Sequence, residues 1–362
     1  MDIRHDHGTL IHVVRACDNA DAPDLIAIGG ESSVSVLLIT DTSANLIASF
    51  HIGSRITALA WSPRAVSPSS SDQWLIELTT ASSDFGLHLL TKSPDVNEDI
   101  FPFGGGLSGH HGPVNEMTFC GGPTDDFARY VATVSDDKML MVWDLHPIIN
   151  IPSALLSPSP SDASGSPSTS RLQPTAYVIS FPHALSSVCA HASTTKDLLV
   201  ADVRGSLALI DWRSDPSHAP ADAWHHPRVA ELAAPRAIAG GAGAFPASAA
   251  WQQANPDIIG AVHRSRFSLW DLSKLQGGKP TLSGASFPEG AHRFRWCPTY
   301  PEYFAISTRS PSARGATIHP TAFTLAPRPL CVRDFDFVPL KGIPRIAAAV
   351  GHELIVFYIG VE

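Results

Sequence analysis

Residues 107–145 read LSGHHGPVNEMTFCGGPTDDFARYVATVSDDKMLMVWDL, and this tract decides the fold. Gly109 and His110 open the unit, Asp137 sits in a tight turn, and Trp143 and Asp144 close it, the layout of a complete WD repeat. Such a repeat supplies one four-stranded blade with two faces to bury. It cannot stand alone, so a full copy predicts a ring of similar blades. His110, Thr133 or Ser135, Asp137 and Trp143 occupy the positions at which a blade of this kind carries a serial hydrogen-bonded staple. A buried polar chain is costly when only partly satisfied, so the role expected of these residues is structural and not that of a His-Asp catalytic pair.

Outward from this tract the chain repeats the unit in eroded form, as short apolar runs separated by turn residues. Seven strand triplets are expected. They run through Ile11–Ala16, Leu25–Ile28 and Val34–Ile39; Ile56–Trp61, Trp74–Leu78 and Gly86–Leu90; the full motif; Ser187–Ala190, Leu198–Ala201 and Ser206–Trp212; Ala247–Trp251, Ile258–Val262 and Phe267–Asp271; Phe294–Cys297, Tyr303–Ser307 and a weak strand near Thr317; and Cys331–Val338, Arg345–Val350 and Glu353–Tyr358. Leu269-Trp270-Asp271-Leu272 is a second WD ending. The expectation is an all-β chain: a single seven-bladed WD40 β-propeller over residues 1–362, about 40 to 45 residues per blade plus insertions. Because Ile11 already reads as an inner strand, the last blade needs an outer strand from the residues before Leu10. Such an N-terminal latch closes the ring and removes open sheet edges.

Three tracts interrupt the repeat. Ile151–Thr175 is rich in Ser and Pro with almost no apolar content after Leu156, and is expected to be a disordered insertion. Smaller insertions are expected at Ser62–Asp72 and at Ala219–Pro246.

Composition excludes several classes. There is no apolar run of the roughly 20 residues a membrane span needs, so no membrane insertion is expected. MDIRHDHGTL lacks the apolar core of a signal peptide. Five cysteines, Cys17, Cys120, Cys189, Cys297 and Cys331, fall in or near strands without CxxC pairing and read as reduced, buried thiols of an intracellular protein. Up to Asn150 there are 7 Lys and Arg against 19 Asp and Glu, which argues against direct nucleic-acid binding by that half. The remainder carries 18 against 15, and Arg264, Arg266, Arg293, Arg295, Arg309 and Arg314 give it a basic bias suited to an acidic partner surface. Of these, Arg264, Arg266, Arg293 and Arg295 are the partner-binding candidates. No phosphate-binding loop, GxSxG elbow, HExxH or dinucleotide fingerprint is present, and the adjacent pairs His110-His111 and His225-His226 do not form a metal site alone. No catalytic, cofactor or metal residues are therefore expected.

An ordered series of blocks carries a family resemblance: Leu25–Gly30 (LIAIGG), Ala60–Pro63 (AWSP), Val134–Asp137 (VSDD), Ser187–Cys189 (SVC), Gly260–Val262 leading to Leu269–Asp271, Phe294–Trp296 (FRW), Tyr303–Ala305 (YFA) and His352–Glu362. In order and spacing the chain resembles, from first blade to last, the small WD-repeat nucleoporins. The resemblance implies a non-enzymatic scaffold subunit of the Y-shaped outer-ring complex of the nuclear pore, at the nuclear envelope. It implies as main partner the large nucleoporin built of a propeller and a helical stalk, with other subunits of that complex beside it. A monomer is expected when free, and no cofactor. The chain departs from the family in the Ser/Pro insertion, the Ala/Gly/Pro tract before Ala247, and Ala190 where an aromatic residue is usual.

Two rival classes are weaker. A cullin-ligase substrate receptor commonly carries Arg two residues after Trp-Asp, where this chain has His146 and Ser273. A histone-tail reader needs an aromatic cage at the channel mouth; Trp61, Trp251 and Trp296 fall at strand ends, where core or channel packing accounts for them.

Overall fold

The computed structural model describes residues 2–123, 126–147, 172–214, 229–232, 246–274, 278–308 and 331–360. A first strand, β1 (Ile3–Asp6), pairs with nothing near it in sequence. The next four, β2 (Val13–Ala16), β3 (Leu25–Gly29), β4 (Ser33–Ile39) and β5 (Ala44–His51), form an antiparallel meander. The pattern recurs in β6 (Ile56–Trp61), β7 (Ile76–Ser82), β8 (Leu87–Lys92) and β9 (Asp99–Phe103), and in β10 (Val114–Phe119), β11 (Tyr130–Ser135), β12 (Met139–Asp144) and β13 (Thr175–Ser180). The fourth sheet holds β14 (Leu185–Ala190), β15 (Asp197–Asp202), β16 (Leu207–Asp211) and β17 (Val229–Leu232), and the fifth β18 (Ser248–Trp251), β19 (Ile258–His263), β20 (Arg266–Asp271) and β21 (Leu282–Ala285). A two-stranded sheet, β22 (Arg293–Trp296) with β23 (Phe304–Ser307), precedes β24 (Val332–Val338), β25 (Arg345–Val350) and β26 (Glu353–Tyr358).

The sheets close into a propeller. Its innermost strands touch in series, β2 on β6, β6 on β10, β10 on β14, β14 on β18, β18 on β22, β22 on β24, and β24 back on β2. Six sheets among the described residues have the four strands of a blade, where seven were expected; the strand anticipated near Thr317 lies outside the described residues. Helix among the described residues is confined to short 3-10 turns at Gly106–Ser108 and Leu272–Lys274. No helix there is long and apolar enough to cross a membrane.

Apolar clusters lie between successive sheets, because each blade is buried on both faces. Phe50, Ile56, Leu59 and Leu78 join the first sheet to the second, and Trp143, Val114 and Leu89 the second to the third. The two-stranded sheet is packed on both sides: Phe294 and Phe304 meet Val262 and Phe267 of the fifth sheet, while Cys297 and Ala305 meet Phe335 and Phe357 of the last. Gly260 on β19 permits the first of these junctions, since a Cβ there would collide with the Phe294 ring.

The last blade is closed by β1, whose residues pair antiparallel with β26 from Ile3 opposite Val356 to Asp6 opposite Glu353. Ile3 is 5% exposed and joins a cluster with Leu354 and Val356. Two expected insertions prove structured in part. In Ser62–Asp72 the backbone of Val66 bridges Leu75, and Ala65 and Ser67 are fully buried. Within Ala219–Pro246 the chain supplies β17. Most of the expected Ser/Pro insertion, residues 151–171, lies outside the described residues, and Thr175 at its end opens β13.

Candidate functional site: the central channel and its mouth

Period-two alternation sets what faces the channel. In β22, Phe294 turns into the junction with the fifth sheet while Arg293 and Arg295 face inward; in β24, Asp334 and Asp336 alternate with Phe335 and Phe337. A bulge between Val114 and Glu116 starts β10, and Arg15 stands between Val14 and Ala16 on β2. These six charged side chains meet across the axis.

Glu116 is the hub. Its Oε1 accepts from Arg15 Nη2 at 3.0 Å and Arg295 Nη2 at 2.8 Å, with Arg293 Nη1 at 3.6 Å, and its Oε2 accepts from the backbone N–H of Val188 on β14 at 3.2 Å. Arg15 Nη1 donates to Asp334 Oδ2 at 2.8 Å, and the same oxygen accepts from Val14 N–H at 3.0 Å. Asp336 is less well matched: Ala16 N–H donates to it at 3.2 Å, but its nearest guanidinium contact, Arg295 Nε, is 3.9 Å away. The network thus links the first, third and fourth sheets, the two-stranded sheet and the last blade.

Electrostatics follow this geometry. Burial raises the Glu116 carboxyl, but the guanidinium groups of Arg295, Arg293 and Arg15 outweigh it and hold it at about 2. Asp334 is likewise held below its ordinary value against burial by Arg15, Arg293 and Arg295. For Asp336 burial prevails over Arg295 and Arg15, with Asp334 adding to it, and the carboxyl is pushed up to about 6.

Arg293 and Arg295 are therefore removed from the partner-binding set expected from sequence. Their side chains are only 10% and 13% exposed and face carboxylates inside the channel, Arg295 hydrogen-bonded to Glu116 and Arg293 paired with Glu116 and Asp334 at 3.5–3.6 Å. Arg266 opens β20 with an exposed side chain, and Arg264 sits in the tight turn before it with a φ of 54°. The structure does not bring these two pairs together as one surface. Sequence reasoning missed Arg15, Glu116, Asp334 and Asp336. For Asp334 and Asp336 the available signal is charge alternating with aromatic residues in VRDFDF, as in RFRW; Arg15 and Glu116 carry no comparable signal.

In the third blade, His110 Nδ1 lies 2.8 Å from Asp137 Oδ2 and His110 Nε2 2.8 Å from Thr133 Oγ1, which also accepts from Trp143 Nε1 at 3.0 Å. All donors and acceptors match if the imidazole proton sits on Nδ1 and the Thr133 hydroxyl donates to Nε2. Burial lowers the His110 pKa against the pull of Asp137, which favours that neutral ring. Ser135, the other candidate, instead donates to the Gly112 carbonyl at 3.0 Å and accepts from the Asp137 N–H at 3.2 Å.

The innermost strands run toward one end of the channel, where a cavity of about 550 Å³ opens. Trp61, Trp251 and Trp296 line it, with Arg15, Glu116 and Arg295. Trp61 Nε1 donates to Arg15 O at 2.9 Å and Trp296 Nε1 to Ala250 O at 3.1 Å, each stapling its strand to the innermost strand of the preceding sheet. Trp251 Nε1 has no acceptor among the described residues. None of the five cysteines is in a disulfide; burial pushes the Cys120 thiol up to about 12 and the Cys189 thiol to about 11, which favours their protonated forms. No group of three or more His, Cys, Asp or Glu among the described residues is arranged to hold a metal ion. His225 and His226 lie outside the described residues.

A propeller with one complete WD staple and a channel crossed by its own ion pairs is, as a class, a β-propeller that offers surfaces for binding. No family model matches the chain. It resembles the nucleoporin Nup37 at a distance: 24% identity over 309 residues to the mouse protein and the same to the human one, covering 82% of this chain and 77% of each relative.

Proposed function

We propose that this chain is a non-enzymatic scaffold subunit of the nuclear pore, sited at the nuclear envelope within the outer-ring complex. In this reading it docks on the large propeller-and-stalk nucleoporin and so supports pore assembly and nucleocytoplasmic transport. The observation that carries the reading is the extent of the likeness to Nup37, 82% of the chain, which is too long to reflect one shared blade. The channel supports it from another side, since its charged groups are spent on one another. The two-stranded sheet belongs in this picture as the inner half of a seventh blade, because it is packed on both faces between its neighbours. His110, Thr133, Asp137 and Trp143 serve as the staple of the third blade, and of the expected basic set the exposed Arg266 is the candidate left for an acidic partner surface, with Arg264 half-buried beside it.

A partner held stably would bury about 1,200–2,000 Å² in total. Fluorescently tagged chain should outline the nuclear rim, and affinity purification from nuclear extract should recover outer-ring nucleoporins, led by the propeller-and-stalk subunit. Recovery of a cullin adaptor or of histones without pore proteins would overturn the assignment.

A further inference from the structure

The outer strand of each blade leaves one row of backbone groups with no strand beyond it. Such a row invites pairing with another chain, and proteins blunt it by shortness, charge, proline, a bulge or a cover. Among the described residues, five of the six four-stranded sheets carry a device of this kind on the outer strand. β1, β17 and β21 have four residues each, and β1 includes Arg4 and Asp6. β9 contains Asp99 and Pro102. β5 bulges at Ile47, whose carbonyl accepts from Lys92 Nζ of the second sheet at 2.9 Å.

β13 has none of them. Its sequence, TAYVIS, holds no charge, proline or glycine, and its register with β12 is unbroken from Thr175 to Ser180. Just past the strand, Phe181 N–H donates to the carbonyl of Lys138 at 2.8 Å. Antiparallel bonding alternates from that pair, so the backbone groups of Thr175, Tyr177 and Ile179 face β12 while those of Ala176, Val178 and Ser180 face away. These three residues have no backbone partner on that side among the described residues. Tyr177 is 56% exposed and Val178 54%, and with Leu172 they place three exposed large apolar side chains within seven residues.

We propose that β13 is a docking edge, to which an extended segment of a partner protein adds as a fifth strand of the third blade. The segment exchanges backbone hydrogen bonds with Ala176, Val178 and Ser180, and its β-branched or aromatic side chains lie beside Tyr177 on one face and Val178 on the other. A second copy of this chain is the poorer occupant, because two rims meeting along one six-residue strand fall short of the roughly 1,200–2,000 Å² of a stable interface. A segment of a larger partner adds this edge to contacts made elsewhere. The inference rests on the edge alone and not on which assembly the chain joins.

The full chain, labelled with nitrogen-15, would be mixed with the capped peptide Lys-Thr-Val-Tyr-Val-Thr-Lys and its amide hydrogen exchange followed residue by residue. In the free chain the amides of Ala176, Val178 and Ser180 should exchange freely while those of Tyr177 and Ile179 are protected. Millimolar peptide should slow the three outward amides by about tenfold and leave β9 and β21 as they are. The same peptide N-methylated at its three central residues keeps its side chains, loses backbone donors on both edges and should have no effect. Val178→Pro removes one outward N–H without touching the bonds to β12, and should abolish the response of Ala176 and Ser180 while Tyr177 and Ile179 stay protected, which checks that the blade is intact. No slowing by the peptide, equal slowing by its methylated form, or equal protection of β9 and β21 would each overturn the proposal. So would outward amides already protected in the free chain, and protection that grows with the concentration of the chain alone would assign the edge to a second copy instead. The peptide comes from no pore protein, so these outcomes are separate from the nuclear-rim experiment.

Discussion

The third blade and the central channel both bury polar groups, but they spend them at different ranges. The staple of His110, Thr133, Asp137 and Trp143 joins residues at most 27 positions apart. The channel network joins Arg15 to Glu116 over 101 positions and to Asp334 over 319. One network organises a blade that its own hairpins already define. The other ties together blades that lie across the axis from one another, beside the apolar junctions that join neighbouring sheets. Long-range polar contacts should therefore carry more of the global stability than the motif by which such proteins are recognised.

The largest effect is expected at the hub. Glu116→Gln leaves Arg15, Arg293 and Arg295 buried around a neutral group and should lower unfolding stability by about 3–5 kcal/mol, measured by urea denaturation. A loss no greater than that at the third-blade staple would break the comparison. The latch is the apolar counterpart. Ile3→Ala removes a buried contact between β1 and β26 and should cost roughly 2–4 kcal/mol, with faster hydrogen exchange along β26. Next, Thr133→Val strands His110 Nε2 and Trp143 Nε1 together and should cost about 1–3 kcal/mol, with exchange quickened in β11 and β12 before the other blades.

pH separates the two carboxylates of the channel that carry opposite shifts. Glu116 is held at about 2, so the stability it contributes is present above the ordinary glutamate range and is lost as pH falls toward 2. Asp336 runs the other way. Its carboxyl is raised to about 6, so its ionisation opposes folding, and stability from this group falls as pH rises from the ordinary aspartate range through about 6. Asp336→Asn should flatten that part of the profile and gain on the order of 1 kcal/mol at neutral pH. Smallest of all, Arg4→Ala removes an exposed pair with Glu353 at 3.1 Å and should change stability by less than about 0.5 kcal/mol. A larger change there would show that the latch is held by charge more than by Ile3.

What was legible in the sequence followed the apolar pattern. The inner and middle strands of most blades, the WD endings and the need for a strand before Leu10 were all visible, because each buries aliphatic residues at regular spacing. The misplaced second-blade strand shows where this fails. It was expected at Trp74–Leu78 but runs Ile76–Ser82, since Thr79, Thr80 and Ser82 are fully buried between blades although their side chains read as a turn. Outer strands were harder still. β5 is exposed or half-buried until Ala48 and Phe50, β9 buries only Phe103, and β17 lies inside a tract that reads as an insertion. The channel charges were hidden for a different reason: a charged residue in a strand reads as solvent-facing, and only ring closure turns that face inward. Sequence therefore favoured Arg293 and Arg295 as surface groups when they are the opposite.

The pairing of β1 with β26 also sets a clock. Arg4 and Glu353, which meet across it, are separated by 349 positions. At synthesis rates of about 5–20 residues per second, the first strand spends roughly 20–70 s without its partner, and the circle cannot be shut in that interval. Every blade completed meanwhile presents an open flank that the next must cover. A chain built this way emerges as a growing arc, and its need for protection on the ribosome should end abruptly, when the last hairpin arrives and the two extremities of the fold find each other.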